Sequence, residues 1–292
     1  MTIVPFDQRD GVIWMNGEFV EWKDAKVHVL THALHYASAV FEGERAYGGR
    51  IFKLTEHTKR LFASAEMLDM KIPYTVEEID AACNETLKRQ GFTDAYVRPI
   101  AWRGSELMGV AAQATRINVA IAIWQWPAYF DPNQLAKGIR LDIAKWKRPD
   151  PATAPSKAKA VGLYMICTLS KHEAERKGYA DAMMLDWRGQ VAECTGANIF
   201  FVKDGEIHTP TPDCFLDGIT RRTVIALAKK RQIKVNERVI MPDELAGFEQ
   251  CFIVGTAAEV TPVGEIGPHN FTVGDMVRAL REDYMKEVHL PA

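Results

Sequence analysis

The chain is 292 residues long, carries 36 basic against 38 acidic side chains for a formal net charge of −2, and is 47% hydrophobic. At roughly 150 residues per domain, that length suggests two modest domains or one large one, and the apolar content excludes disordered and fibrous architectures. The near-neutral balance supplies no global basic field for nucleic acid or an anionic membrane.

Residues 12–15 and 19–22 read as a β-hairpin around Asn16-Gly17, the dipeptide that two-residue hairpin turns favour. His28, His32 and His35 follow at helix-like spacing. His28 and His32 are four apart, as in many zinc sites, but no glutamate follows as H-E-x-x-H requires and no third ligand is evident. A metallohydrolase is therefore a remote alternative, no metal is expected, and the histidines are read as bracing the loop that carries Tyr36. Residues 55–70 carry a helical stripe through Leu61, Ala65 and Leu68, and after Pro73 a second helix of about a dozen residues starts at Val76. Residues 96–100 and 117–126 read as strands, the second apolar enough to be buried on both faces.

The longest uninterrupted apolar run, Val119-Ala-Ile-Ala-Ile-Trp124, is far short of the roughly 20 residues of a membrane-spanning helix. The first ten residues lack the basic-then-apolar order of a signal peptide, so a cytosolic location without membrane contact is expected. The pattern breaks between Pro127 and Lys137. The expected division is a small α/β domain over residues 1–128, a linker at 129–137 and a larger mixed α/β domain over 138–292. In that larger part, residues 138–145, 161–177, 182–186, 198–203, 219–231 and 251–255 alternate strand-like and helix-like patterns. Five scattered cysteines, never spaced C-x-x-C, read as reduced thiols rather than a disulfide framework or a zinc site.

One segment is unusually informative. Glu193-Cys-Thr-Gly-Ala-Asn-Ile-Phe200 is followed after six residues by Ile207-His-Thr209, and after six more by Leu216-Asp-Gly-Ile-Thr-Arg221. Spacing included, this resembles the signature of class IV aminotransferases, fold-type IV enzymes that use pyridoxal 5'-phosphate. Its mixture of acidic, small, amide, aromatic and basic positions is far harder to meet by chance than a short glycine motif. Residues 12–22 and 159–164, His32-Ala-Leu-His-Tyr36, Phe41-Glu-Gly43, Tyr96-Val-Arg-Pro99 and Gly255-Thr-Ala-Ala-Glu-Val-Thr-Pro262 are similar to branched-chain aminotransferases, so the resemblance covers nearly the whole chain. It implies a mixed α/β fold: a small N-terminal α/β domain and a larger C-terminal domain with a barrel-like mixed sheet.

Pyridoxal 5'-phosphate needs an amine for its aldehyde, an acid for its ring nitrogen, donors for its phosphate and a partner for its ring oxygen. Lys157 and Lys159 would share a face of an extended segment, and physics alone does not choose between them. The family distance of five residues to Tyr164 selects Lys159 as the amine and proton carrier, although a lysine taken alone is a solvated surface charge. By resemblance Glu193 meets the ring nitrogen and Tyr164 the ring oxygen, with Gly196 and Asn198 also against the cofactor. Gly218, Ile219 and Thr220 introduce a helix pattern, and a helix start offers unused N–H groups and the positive end of a dipole to a phosphate. Thr256 would add donors from another strand end, and Arg60 matches the family arginine that pairs with the phosphate.

The resemblance also implies a substrate pocket. Tyr36, Phe41 and Tyr129 wall it, Arg45 gates it, and Arg98 with Tyr96 beside it meets the distal carboxylate of glutamate or 2-oxoglutarate. Backbone donors at Thr256, Ala257 and Ala258 hold the α-carboxylate. Met108-Gly-Val110 matches a loop given by a neighbouring subunit, which makes a homodimer the minimum assembly. Glu44 stands where branched-chain enzymes commonly carry an apolar residue, and two placements are open to it: beside Arg45, or towards solvent. The activity implied is transamination between L-leucine, L-isoleucine or L-valine and 2-oxoglutarate. The alternatives are an (R)-selective amine transaminase, a D-amino-acid aminotransferase (these usually carry R-x-H where Arg98-Pro-Ile100 stands) and, remotely, a non-catalytic protein that only binds the cofactor.

Overall fold

The structure, a computed structural model, describes residues 4–126 and 132–290. Tyr129 lies outside the described residues. The chain divides into two compact units, one comprising Met1–Pro127 and Ala158–Gly162, the other Ala128–Lys157 and Leu163–Ala292. The segment bearing Lys159 thus belongs with the first unit, not with the larger half that was expected to hold it.

The first unit is built on a seven-stranded sheet. Its strands are β1 (Val12–Met15), β2 (Glu18–Glu21), β3 (Ala39–Phe41), β4 (Glu44–Tyr47), β5 (Arg50–Ile51), β6 (Ala95–Arg103) and β7 (Ile117–Gln125). The expected hairpin forms in register, Met15 opposite Glu18, with Asn16 and Gly17 both at positive φ as a type I′ turn requires. The first helix is α1 (His32–Tyr36), followed by α2 (Leu54–Met67) and α3 (Val76–Gln90). The latter two bury Leu61, Ala65, Ile79, Cys83 and Leu87. α3 starts where the sequence says because Thr75 and Glu78 cap it reciprocally, and it stops at Gly91 in the left-handed region. α2 ends short of the expected residue 70: Asp69 turns left-handed, and the Leu68 and Met70 amides both fold back onto the Ala65 carbonyl. β7 alternates buried and half-buried positions, so it is buried on one face rather than on both.

Pro99 shapes this sheet. β3 pairs with residues 100–102 of β6 and β4 with residues 95–97, and the two are interrupted at Glu42-Gly43. Proline has no N–H to continue a ladder there. The Pro99 carbonyl accepts from Glu42 N instead, and that break turns Glu42 inward.

The second unit begins with α4 (Pro132–Lys137), so the expected linker carries a helix in its second half. β8 (Ile139–Ile143), α5 (Met165–Arg176), β9 (Asp181–Leu185), β10 (Val191–Cys194), β11 (Asn198–Lys203), β12 (Glu206–Pro210), α6 (Ile219–Lys230), β13 (Val235–Arg238), β14 (Gln250–Gly255), β15 (Glu259–Ile266), β16 (His269–Asn270) and α7 (Asp275–His289) follow. Nine strands form one mixed sheet in the order β10-β9-β8-β15-β14-β11-β12-β13, with β16 beside β15. β8 lies parallel to both β9 and β15, and β12 parallel to β13. The β10 edge returns towards the far side, where Val191 N donates to Ile240 O and Cys194 N to Ala197 O, so the sheet curls into a half-barrel around Leu141, Met183, Ile199, Phe201 and Ile253. Among the described residues no helix is long and apolar enough to cross a membrane.

The β8–β15 seam is held by facing glycines. Gly138 has φ +79°, and a Cβ there would stand 2.4 Å from Gly264 N. Gly138→Ala combines a strained φ with a backbone clash, and is expected to lower stability by about 2 kcal/mol or more, measured as a fall in the urea midpoint with an unchanged slope.

Candidate active site

In the first unit the chain around Lys159 is fixed on both sides. Phe41 N donates to the Lys159 carbonyl at 3.1 Å, Lys159 N donates to Ser64 Oγ at 3.0 Å, and Val40 forms a β-bridge with Ala160. The Lys159 amine lies 4.8 Å from the centre of the Phe41 ring. Desolvation first, then the Arg60 guanidinium, bring its pKa down from 10.5 to about 8, against an opposing pull from Glu42. Lys157, the other candidate of the pair, is exposed.

Arg60 is engaged by a residue that sequence reasoning passed over. Glu42, fully buried, accepts from Arg60 Nε at 2.7 Å and from Nη2 at 2.8 Å, and from His57 Nδ1 at 2.7 Å. His57 and Arg60 are three apart on α2 and so share a face. That spacing, with the glutamate of Phe41-Glu-Gly43, was the available signal.

Arg98 projects from the opposite face of β6, among aromatic rings. Its guanidinium carbon lies 4.7 Å from the Phe41 ring centre and 5.1 Å from that of Tyr96, and Nη2 donates to the Tyr96 hydroxyl at 3.2 Å. Among the described residues no acid pairs with it, and its Nε is buried without a partner. Gly43 makes room for this arrangement, because a Cβ there would meet the Tyr96 hydroxyl at 2.1 Å. An apolar hollow of about 440 Å³ on the same face is lined by Met15, Leu34, Ile100, Trp102 and Val161 as well as Arg98. Arg45 stacks over Tyr47, 4.6 Å from its ring centre. Tyr36, Met108 and Val110 are exposed. The histidines do not converge on a common point: His32 stacks on Tyr36 and bridges Ser38 Oγ to the Gly109 carbonyl, while His35 Nε2 lies 2.9 Å from the Val29 carbonyl.

In the second unit Glu193 is buried on β10, with Arg148 Nε 3.3 Å from Oε1. Arg148, also missed, sits in a loop with no motif around it; it reaches the Leu163 carbonyl at 3.4 Å and Cys167 Sγ at 3.6 Å, and so ties Glu193 to the turn before Tyr164. Asn198 spends its amide as a brace: Nδ2 donates to the Leu216 carbonyl at 3.0 Å and lies 3.4 Å from Glu193 Oε2, and Oδ1 accepts from Gly218 N at 3.2 Å. A Cβ on Gly218 would collide with that Oδ1 at 2.3 Å. The start of α6, at Ile219 and the buried Thr220, has no side-chain cap and no acid in its first turn, which leaves its amide donors to an anion. Arg221 does not reach outward; it is buried and clamps Asp217, Glu237 and the Pro210 carbonyl. Gly255 packs against the 196–197 turn, where Gly196 is exposed, and Thr256 and Ala257 follow it half-buried while Ala258 is buried.

These residues fit pyridoxal 5'-phosphate on their own chemistry: an amine of lowered proton affinity beside an arginine in one unit, and a buried acid next to an uncapped helix start in the other. The family described as Amino-transferase class IV matches residues 39–266. The chain is 42% identical to a probable branched-chain-amino-acid aminotransferase of Rickettsia conorii, over 99% of both proteins. It is 43% identical to the branched-chain-amino-acid aminotransferase of Pseudomonas aeruginosa, over 91% of this chain and 88% of that one. The crystal structure of the T.th. branched-chain amino acid aminotransferase with pyridoxamine 5'-phosphate superposes with a TM-score of 0.93 at 41% identity, covering 96% of this chain and 94% of that one.

Glu44 takes neither placement left open by the sequence. Strand alternation turns it away from Arg45, and it is fully buried, with both carboxyl oxygens unpartnered among the described residues. Burial first, then the charges of Glu42 and Asp80, push its pKa well above 4.5, so the folded protein keeps it protonated. The unfolded chain ionises above 4.5 while the folded one does not, so Glu44 costs stability increasingly as pH rises from there. Glu44→Val, of similar volume, is expected to stabilise by about 1–3 kcal/mol at neutral pH, and thermal unfolding should show that gain shrinking as pH falls from neutral towards 4.5 and levelling off below it.

Proposed function

The chain belongs to the class IV aminotransferases, and on that premise we propose that it moves the amino group of L-leucine, L-isoleucine or L-valine to 2-oxoglutarate, giving the 2-oxo acids and L-glutamate. The observation that carries this reading is Arg98: a cation stored among aromatic rings, without a carboxylate partner among the described residues, beside an apolar hollow. Such a group accepts the distal carboxylate of glutamate as a charge-assisted pair, and its ring-lined surroundings accept an aliphatic chain without burying an unpaired charge.

Pyridoxal 5'-phosphate, when bound, supplies the carbonyl that exchanges for the amino group and the ring that stores electrons from the broken Cα–H bond. Lys159 Nζ, with its pKa near 8, is poised to take the Cα proton and return it on the other side of the transfer. Glu193, held by Arg148 and Asn198, would offer its carboxylate to the ring nitrogen, and Tyr164 would offer its hydroxyl to the ring oxygen. For the phosphate, the amides of Ile219 and Thr220, with Thr256, would supply donors in the second unit, and Arg60 is the cation the first unit would offer. Backbone donors at Thr256, Ala257 and Ala258 take the α-carboxylate.

The assembly we propose is at least a homodimer. Leu34 and Tyr36 on α1 and Leu107, Met108 and Val110 in the loop bound through His32 are all exposed, an apolar surface that suits a second copy. The five cysteines are all free and buried, in keeping with a reducing cytosol.

An amino-donor series tests the substrate assignment. L-leucine should be consumed, and D-alanine and (R)-1-phenylethylamine should not; a protein that ignores L-leucine and consumes the amine contradicts it. Arg98→Ala should lower kcat/KM for glutamate roughly a hundredfold and for leucine less than about tenfold, and equal losses would remove Arg98 from its role.

A further inference from the structure

We infer that Glu42 is a positioning residue of the transamination site: its buried carboxylate holds the Arg60 guanidinium in the single orientation that addresses the cofactor phosphate. The inference rests on reading Arg60 as the arginine that meets that phosphate.

Both carboxylate oxygens of Glu42 are committed. Oε1 takes the Nε–H of Arg60, and Oε2 takes Nη2–H of the same fork, the Nδ1–H of His57 and the Gly43 amide at 3.2 Å. A planar guanidinium gripped along its Nε–Nη2 edge has lost rotation about its last bonds, and its Nη1 corner must point away from Glu42. Glu42 itself has no freedom to pass on, because its amide is bonded to the Pro99 carbonyl at 2.8 Å and Phe41 before it is bonded to the Lys159 carbonyl. The orientation of Arg60 is therefore referred directly to the segment that carries the reacting amine.

The charges agree with the geometry. Burial works to raise the Glu42 pKa, but Arg60 and then His57 hold it far below the usual carboxylate range, so Glu42 stays an anion. Burial lowers the His57 pKa, which leaves a neutral ring whose Nδ1–H can only donate to a carboxylate. His57 thus fixes the carboxylate without adding a second cation to compete with Arg60. Glu44, protonated, does not replace Glu42 as a counter-charge.

The test compares pyridoxal 5'-phosphate with pyridoxal, which lacks the phosphate, by equilibrium titration of the full-length protein freed of cofactor. Glu42→Gln keeps the shape and removes the charge. It should weaken binding of pyridoxal 5'-phosphate about tenfold or more and change pyridoxal less than about twofold. In an Arg60→Ala background it should cost nothing further, because the group it positions is gone. Equal losses for the two ligands, additive losses with Arg60→Ala, or an unchanged affinity in Glu42→Gln would each overturn the inference. An unchanged affinity in Arg60→Ala alone would instead overturn the reading of Arg60. Should Glu42→Gln fail to fold, His57→Asn frees the same carboxylate and should show the same selectivity for the phosphate-bearing ligand; its absence there overturns the inference equally.

Discussion

In the first unit the ionised, buried carboxylate of Glu42 offsets the charges of Lys159 and Arg60, with Arg98 acting on the same amine. At a separation of about 4 Å and an effective dielectric of about 20, a unit charge pair is worth about 4 kcal/mol, enough to decide protonation states. For Lys159 the desolvation and the arginines outweigh Glu42, and the amine comes to rest near 8. At pH 7 that leaves about one amine in ten unprotonated, against about one in three thousand for an ordinary lysine. A less buried amine would stay charged and inert.

Backbone interruptions make this balance possible. β6 stays paired with β7 through Pro99, but its pairing with β3 and β4 is interrupted there; Glu42-Gly43 bends inward at the gap, and the missing Cβ of Gly43 admits the Tyr96 hydroxyl that accepts from Arg98. One break thereby serves the amine's counter-charge on one face and the proposed carboxylate receptor on the other. The second unit uses the same device once more: Gly218 lets Asn198 approach the start of α6, and Asn198 touches Glu193 as well. The acid and the uncapped helix start are thus spaced by a single amide side chain.

The parts most legible in the sequence were those whose cause is local. The Asn16-Gly17 hairpin, the start of α3 at Val76 after Pro73 and the strands read at 198–203 and 251–255 follow from turn chemistry, helical periodicity and apolar runs, and the class IV signature carried the family. Short strands such as β3, β4 and β10 were not legible, because three or four residues hold no readable period and their pairing is set by distant partners. Lys159 and Glu193 were singled out through the spacing of the motifs they share with the family; Glu42 and Arg148 were not, since each engages its partners only through a contact made across the fold. Glu44 shows the limit of local reading: a charged residue in a strand reads as exposed, and only the packing of α2 and α3 shows that it is sealed and neutral.

The central claim is that burial among arginines, offset by Glu42, sets the proton affinity of Lys159. It is tested by the rate at which a neutral acylating reagent labels Lys159 in the cofactor-free protein, followed by mass spectrometry across pH with the exposed Lys157 as internal reference. The account predicts a labelling midpoint for Lys159 near pH 8. A Lys159 profile that tracks Lys157 would contradict it.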